Sequence, residues 1–258
     1  MQTEKKEVKT CTLMLQEKIP SCHLFAGGGV GAGPFPDVDF VSDFHASWLQ
    51  NGGAEAALPS NAASEESISD LAGLKELVLH RREKSSLLMF TASADSVSTP
   101  ELVLEFAWEL SKGRRKRVLI VDCDLRSPAL TKAYGIEQDI GLSDFLTGRQ
   151  SLRDIVKRTN LRNVCLVRNG LAALEPVVLF MSARFLDLIK DLQRRFDHIL
   201  LNAPVYGAAV DTFALAKFLR PMVVIATGSE QALSDSVAKI HSELSVLRVP
   251  ILNIAGDR

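Results

Sequence analysis

The stretch Leu87-Leu88-Met89-Phe90-Thr91-Ala92-Ser93, followed by Ala94-Asp95-Ser96-Val97-Ser98-Thr99-Pro100-Glu101 and then Leu102 to Leu110, decides the fold. The first run is apolar enough for a strand buried on both faces, and the last has helical spacing. A strand, a tight turn and a helix in that order open many α/β folds. In the phosphate-cradling version the turn carries glycines and a Gly-Lys-Ser/Thr at the helix start. This turn has no glycine and no lysine.

Alternation continues outward from that unit. Further strands are expected at Arg117–Asp122, Val164–Val167, His198–Asn202, Met222–Ala226 and Ile251–Ile254. Helices are expected at Thr99–Lys112, Ala183–Phe196, Asp211–Leu219 and Glu230–Leu247. An amphipathic helix over Glu66–Arg81, with Ile68, Leu71, Leu74, Leu77 and Val78 on one face, precedes them. Near-continuous apolar strands alternating with helices predict a doubly wound, mostly parallel sheet covered on both faces. Sites in such sheets lie at the carboxyl ends of the strands, where Asp95, Asp122, Asp124 and Asn202 fall.

Composition divides the chain near residue 65. Residues 1–66 hold nine acidic and four basic side chains, net −5. The whole chain is net −1, which leaves the rest at +4. The segment Ala26 to Ser64 is rich in Gly, Ala, Asn, Ser and Pro, a poor basis for a core, so 1–64 is expected to be a flexible arm and 65–258 the α/β domain. The run Gly27-Gly28-Gly29-Val30-Gly31-Ala32-Gly33 is followed by Pro34 and Pro36 rather than a helix, and reads as linker rather than a dinucleotide loop. Near-zero net charge gives no case for nucleic-acid binding. The four cysteines, Cys11, Cys22, Cys123 and Cys165, have no metal-site spacing. No apolar run reaches the roughly 20 residues of a spanning helix, and MQTEKKEVKT lacks a signal-peptide core. These features predict a soluble cytoplasmic protein.

The strongest positive motif is Val118-Leu119-Ile120-Val121-Asp122-Cys123-Asp124-Leu125-Arg126-Ser127-Pro128. A hydrophobic strand ending in Asp-x-Asp-x-Arg, then Pro, resembles the second Walker motif of the deviant P-loop (ParA/MinD-type) proteins. It is similar, more narrowly, to the bacterial tyrosine kinases of capsule and exopolysaccharide synthesis. Tyr134-Gly135-Ile136, Gly141-Leu142-Ser143-Asp144-Phe145-Leu146-Thr147-Gly148, Ser151-Leu152-Arg153-Asp154-Ile155-Val156 and Glu175-Pro176 to Leu186 continue the resemblance in order. Phe196-Asp197-His198-Ile199-Leu200-Leu201-Asn202-Ala203-Pro204 takes the Walker B place, and Asp211 matches a family aspartate. The resemblance covers about residues 85–255.

That resemblance implies a P-loop NTPase fold, ATP with Mg²⁺, and a cluster of tyrosines as phosphorylated substrate. In the family a glycine loop wraps the β-phosphate and a lysine offsets its charge, while a Ser/Thr and carboxylates organise the metal. Here Ser96 and Ser98 fall on loop glycines, Thr99 on the lysine, Pro100 on the metal-binding hydroxyl and Asn202 on the Walker B aspartate. Asp122 and Asp124 alone match, as vestigial catalytic residues and as Mg²⁺ ligands if the metal binds. The sequence holds two tyrosines, Tyr134 and Tyr206, and no tail cluster. The family's Glu-x-x-Arg-x-x-Arg ring motif is replaced by Asp70-Leu71-Ala72-Gly73-Leu74-Lys75-Glu76.

The replaced turn has a logic of its own. Ser98 is expected to cap the helix, Pro100 to sit in its first turn and Glu101 to close a capping box. Asp95 and Glu101 would then repel a phosphate from the positive helix end. The expectation is a pseudokinase with no cofactor. It would bind a membrane polysaccharide chain-length or export protein, an active tyrosine kinase of that pathway, or a second copy of itself. The alternatives are an atypical ATP-binding autokinase or weak ATPase, and a ParA/MinD-like positioning protein. The basic runs Arg81-Arg82-Glu83-Lys84 and Lys112-Gly113-Arg114-Arg115-Lys116-Arg117 read as solvated loops. Asp122 and Asp124 read alternatively as a charged strand end held by Arg126. His198 reads as a surface or satisfied histidine.

Overall fold

A computed structural model describes residues 66–255 except 69, 82–84, 95–97, 113–115, 128, 131–139, 160, 162, 172–174, 208–209 and 228–232. The expected arm at 1–64, the glycine run and Tyr134 lie outside the described residues, as do Asp95 and Ser96.

The strands are β1 (Glu66–Ile68), β2 (Ser86–Ala92), β3 (Val118–Asp122), β4 (Val156–Arg158), β5 (Val164–Val167), β6 (His198–Asn202), β7 (Met222–Thr227) and β8 (Ile251–Ala255). The helices are α1 (Leu71–His80), α2 (Thr99–Ser111), α3 (Leu142–Leu146), α4 (Leu152–Ile155), α5 (Pro176–Phe180), α6 (Ala183–Arg195), α7 (Asp211–Leu219) and α8 (Leu233–Ser245). The strands form one sheet in the order β1-β8-β7-β2-β6-β3-β5-β4. Every pairing is parallel except β4 with β5.

Side chains along a strand point alternately to opposite faces, and this alternation splits the interior into two cores. Leu88, Phe90, Val118, Ile120, Leu200, Val224, Leu252 and Ile254 face α1 and α2, meeting Leu74, Val78, Phe106 and Leu110. Met89, Leu119, Val121, Ile199, Leu201, Val223 and Ile225 face the other layer, meeting Phe180, Phe185, Ile189, Leu192, Leu215 and Leu244. The central strands carry few polar residues because both their faces are dry.

The expectation of helix over Glu66–Arg81 is corrected at its start. Glu66–Ile68 is an edge strand paired with Leu252, Asn253 and Ile254. The helix begins at Leu71, because Asp70 caps it: its carboxylate accepts from the Gly73 amide at 2.8 Å. Ile68 keeps helical spacing with Leu71, and this spacing hides the break.

Among the described residues three that are not glycine adopt left-handed backbone: Asn163 (φ 70°), Arg220 (φ 49°) and Arg248 (φ 51°). Each stands just before a strand, at the start of β5, β7 or β8.

Candidate functional site

Three adjacent strands align in one row: Phe90 of β2 stands beside Asn202 at the end of β6, and Asn202 beside Asp122 at the end of β3. Ladder bonds continue past the strand ends. The Cys123 amide donates to the Asn202 carbonyl at 2.8 Å, and the Ala203 amide to the Phe90 carbonyl at 2.9 Å. Thr91 and Thr212 hydroxyls both donate to the Pro204 carbonyl, at 2.7 and 2.8 Å, tying the loop after β6 to β2 and α7. The carboxyl edge of the sheet is therefore a fixed platform.

Asp122 and Asn202 meet at its centre. Asn202 Nδ2 donates to Asp122 Oδ1 at 2.9 Å, and the Asp124 amide donates to the same oxygen at 3.2 Å. Asp122 is fully buried and Asn202 nearly so. Among the described residues Asp122 Oδ2 and Asn202 Oδ1 have no hydrogen-bond partner. Burial dominates the carboxyl's protonation, with Asp124 adding repulsion against the two donors, and its pKa is pushed up to about 8. At neutral pH Asp122 therefore carries a proton for most of the time. A protonated carboxyl is a donor as well as an acceptor, and the free amide oxygen of Asn202 belongs to its hydrogen-bonded neighbour.

Asp124 is half-buried, and its Oδ1 accepts from the Arg126 and Ser127 amides at 3.2 and 3.0 Å, closing an Asx turn. Burial raises its pKa against those bonds. Arg126 does not hold the two aspartates through its guanidinium, which corrects the strand-end expectation. Its Nε and Nη2 reach Asp211 Oδ2 and Oδ1 at 2.7 and 3.3 Å. Asp211, fully buried at the start of α7, is thus tied to the loop after β3 by a two-point ion pair.

The start of α2 supplies the third side of the platform. Ser98 is its N-cap residue, Pro100 lies in the first turn, Thr99 is buried and Glu101 is exposed. The expected capping box is not formed, because the Ser98 side chain makes no capping hydrogen bond. The pattern Ser-x-x-Glu is present, but the hydroxyl is not turned onto the backbone. Glu101 acts there only through its charge beside the helix dipole.

A lesser-signalled part of the platform is Arg168-Asn169-Gly170, directly after β5. Asn169 Nδ2 donates to the Asp124 carbonyl at 3.2 Å, and its own carbonyl accepts from the Ser143 amide at 3.0 Å. Gly141 and Gly170 allow this approach: a Cβ on Gly141 would stand 2.3 Å from both the Arg168 carbonyl oxygen and the Gly170 nitrogen. Asp144, buried, receives Gly141 N at 3.0 Å and Arg149 at 3.1 Å. The Gly-Leu-Ser-Asp segment is thus a brace for the site. The sequence signal of Arg168-Asn169-Gly170 is slighter, two polar residues and a glycine after an apolar strand.

His198 lies at the opposite end of β6. It is buried, with Nδ1 2.7 Å from Ser86 Oγ and Nε2 without a partner among the described residues. It is therefore neither on the surface nor fully satisfied. Among the described residues no group of three or more His, Cys, Asp or Glu is placed to hold a metal, and no helix is long and apolar enough to cross a membrane.

No family model matches the chain. Among curated proteins it is 27% identical over 152 residues to the tyrosine-protein kinase ptk of Acinetobacter johnsonii, covering 59% of this chain and 21% of that one. It is 29% identical over 142 residues to the tyrosine-protein kinase CpsD of Streptococcus pneumoniae serotype 4, covering 55% and 62%. The crystal structure of the VpsO kinase domain superimposes with a TM-score of 0.66 at 25% identity, over 72% of this chain and 90% of that one. The chain is similar in sequence and in fold to bacterial tyrosine kinases. The fold also matches the septum site-determining protein MinD of Pyrococcus horikoshii OT3, with a TM-score of 0.55 at 22% identity over 66% and 69%. The chain therefore shares the α/β architecture of these solved structures. Its match spans about a fifth of ptk and under two thirds of CpsD.

Proposed function

We propose that the chain is a non-catalytic relative of the exopolysaccharide tyrosine autokinases, acting by binding within capsule or polysaccharide synthesis and export. The Asp122–Asn202 pair carries this reading. A carboxyl that is buried, bonded to an amide and protonated near neutrality is a weak ligand for Mg²⁺, which prefers charged oxygen donors and water. The α2 start adds to it, with Thr99 and Pro100 in place of a lysine and a metal-binding hydroxyl and the exposed Glu101 adding negative charge to the first turn. The residues present do not fit a magnesium nucleotide, so no phosphoryl transfer is derived from them. The loop site is accordingly degenerate, and the partner is a membrane chain-length or export protein or an active kinase of the pathway.

A second reading, an atypical autokinase or weak ATPase, draws on Asp122 and Asp124, which keep their places at the strand end. Nucleotide separates the two. A ligand present at a hundredfold over its dissociation constant stabilises a true binder by about 2.7 kcal/mol, or roughly 5–10 °C in melting temperature for a domain this size. Saturating ATP with Mg²⁺ should leave the melting temperature unchanged and give no heat in a calorimetric titration. A magnesium-dependent rise of that order would refute the non-catalytic reading.

A further inference from the structure

The sheet's other edge, where the strands begin, is lined with cations. From one side to the other stand Arg248 before β8, Arg220 before β7, Arg81 before β2, Lys116 and Arg117 before β3, and Arg158 at the end of antiparallel β4 beside the start of β5. Arg194 and Arg195 close α6 just before β6. These groups are far apart in sequence, and only the strand order brings them to one edge. Six strand spacings of about 4.8 Å make the row roughly 29 Å long. Carboxylates on it already hold cations: Asp197 lies 3.8 and 3.5 Å from Lys116 and Arg117, and Asp191 holds Arg194 and Arg195. The opposite edge carries Asp122, Asp124, Asp211 and Glu101.

Two of the five exposed large apolar side chains among the described residues stand in this row. Val246, 79% exposed, lies two residues before Arg248, and Leu79, 47% exposed, two before Arg81. Arg220 Nη2 donates to the Leu247 carbonyl at 3.1 Å, which sets the Val246 corner beside a third cation. Leu79 shares a shallow hollow with Arg81, Lys116 and His198. A line of spaced cations with apolar side chains between them suits a planar anionic surface better than a peptide or a nucleic acid. Cations attract acidic headgroups, and apolar side chains enter the boundary beneath them.

We propose that this basic edge docks on an anionic lipid surface, with Leu79 and Val246 entering the headgroup layer and the Asp122 platform turned away from it. The proposal stands apart from the catalytic status of that platform.

Co-sedimentation of the full chain with vesicles tests it. Phosphatidylcholine vesicles containing phosphatidylglycerol should retain the chain at low salt and release it at high salt, and pure phosphatidylcholine should not retain it. Each cation near a membrane is worth about 1 kcal/mol, so Arg248→Gln should weaken binding about fivefold. Lys116→Gln with Arg117→Gln should weaken it further, and Val246→Ser should also weaken it. Lys239→Gln, a surface cation in the middle of α8, should change it little. Circular dichroism of each variant separates weakened docking from misfolding. Equal binding to neutral vesicles, no binding, or an equal loss from Lys239→Gln would overturn the proposal. Capture by polyglutamate without vesicle binding would overturn it in favour of an acidic protein partner.

Discussion

Asn202→Asp should destabilise the chain by about 3–5 kcal/mol at pH 8 without added metal, because it sets a second carboxylate against a buried one with no cation to offset either. The two side chains already touch at 2.9 Å through the amide nitrogen that the substitution removes. Both sit at the ends of paired strands, so neither can swing away. Two carboxylates in one buried site raise one another's pKa, and the loss should therefore grow between pH 6 and pH 9. Urea unfolding at several pH values measures it. A divalent cation should recover part of the loss in this variant and have no effect on the parent chain. Unchanged stability would mean that the pair is open to water, contrary to the burial that carries the proposed function.

Asp122→Asn should have the opposite effect at alkaline pH. The folded-state pKa of Asp122 is raised from 3.8 to about 8, so the folded chain binds a proton that the unfolded chain releases. Stability from this group is fully present below pH 4 and is lost as pH rises through about 8. At roughly 1.4 kcal/mol per pKa unit the loss is on the order of 6 kcal/mol. An asparagine keeps the shape, has no proton to lose, and brings an amide donor toward the unpartnered Asn202 Oδ1. The variant should match the parent near pH 4 and exceed it by several kcal/mol near pH 9. The charged groups around the site, namely Asp124 and the Arg126–Asp211 pair, are present in both chains and drop out of the difference, as does the buried Cys123 thiol, which burial holds protonated. Parallel pH profiles for the two chains would defeat this account.

The central strands were legible because each is apolar on both faces, a property of residues next to one another. Glu66–Ile68 was not, because Ile68 is spaced like a helical residue and only Asp70 marks the break. Val156–Arg158 escaped for a related reason: a three-residue edge strand with two cations has no apolar run to show. At the site the residue types were readable and their contacts were not. Asp122 and Asn202 are 80 positions apart, and only the β3–β6 register makes them partners. The Ser98/Glu101 pattern shows the limit from the other side. A capping sequence was present and the cap was not made, since a motif records which groups are available and not how a hydroxyl is turned. Each basic run taken alone reads as a solvated loop, and the alignment of the runs exists only in the order of strands.

The left-handed corners at Arg220 and Arg248 have a practical consequence. Glycine normally occupies such positions, since a side chain there costs about 1–2 kcal/mol. Arginine at both places a charge at a corner without the backbone needing it there. At Arg248, glycine would relieve that cost and offset most of the chain entropy it adds. What the fold requires and what the edge presents are thus separable at a single residue. A chain altered there would keep its architecture while changing which surfaces it visits, so an engineer could uncouple where the protein sits from whether it folds.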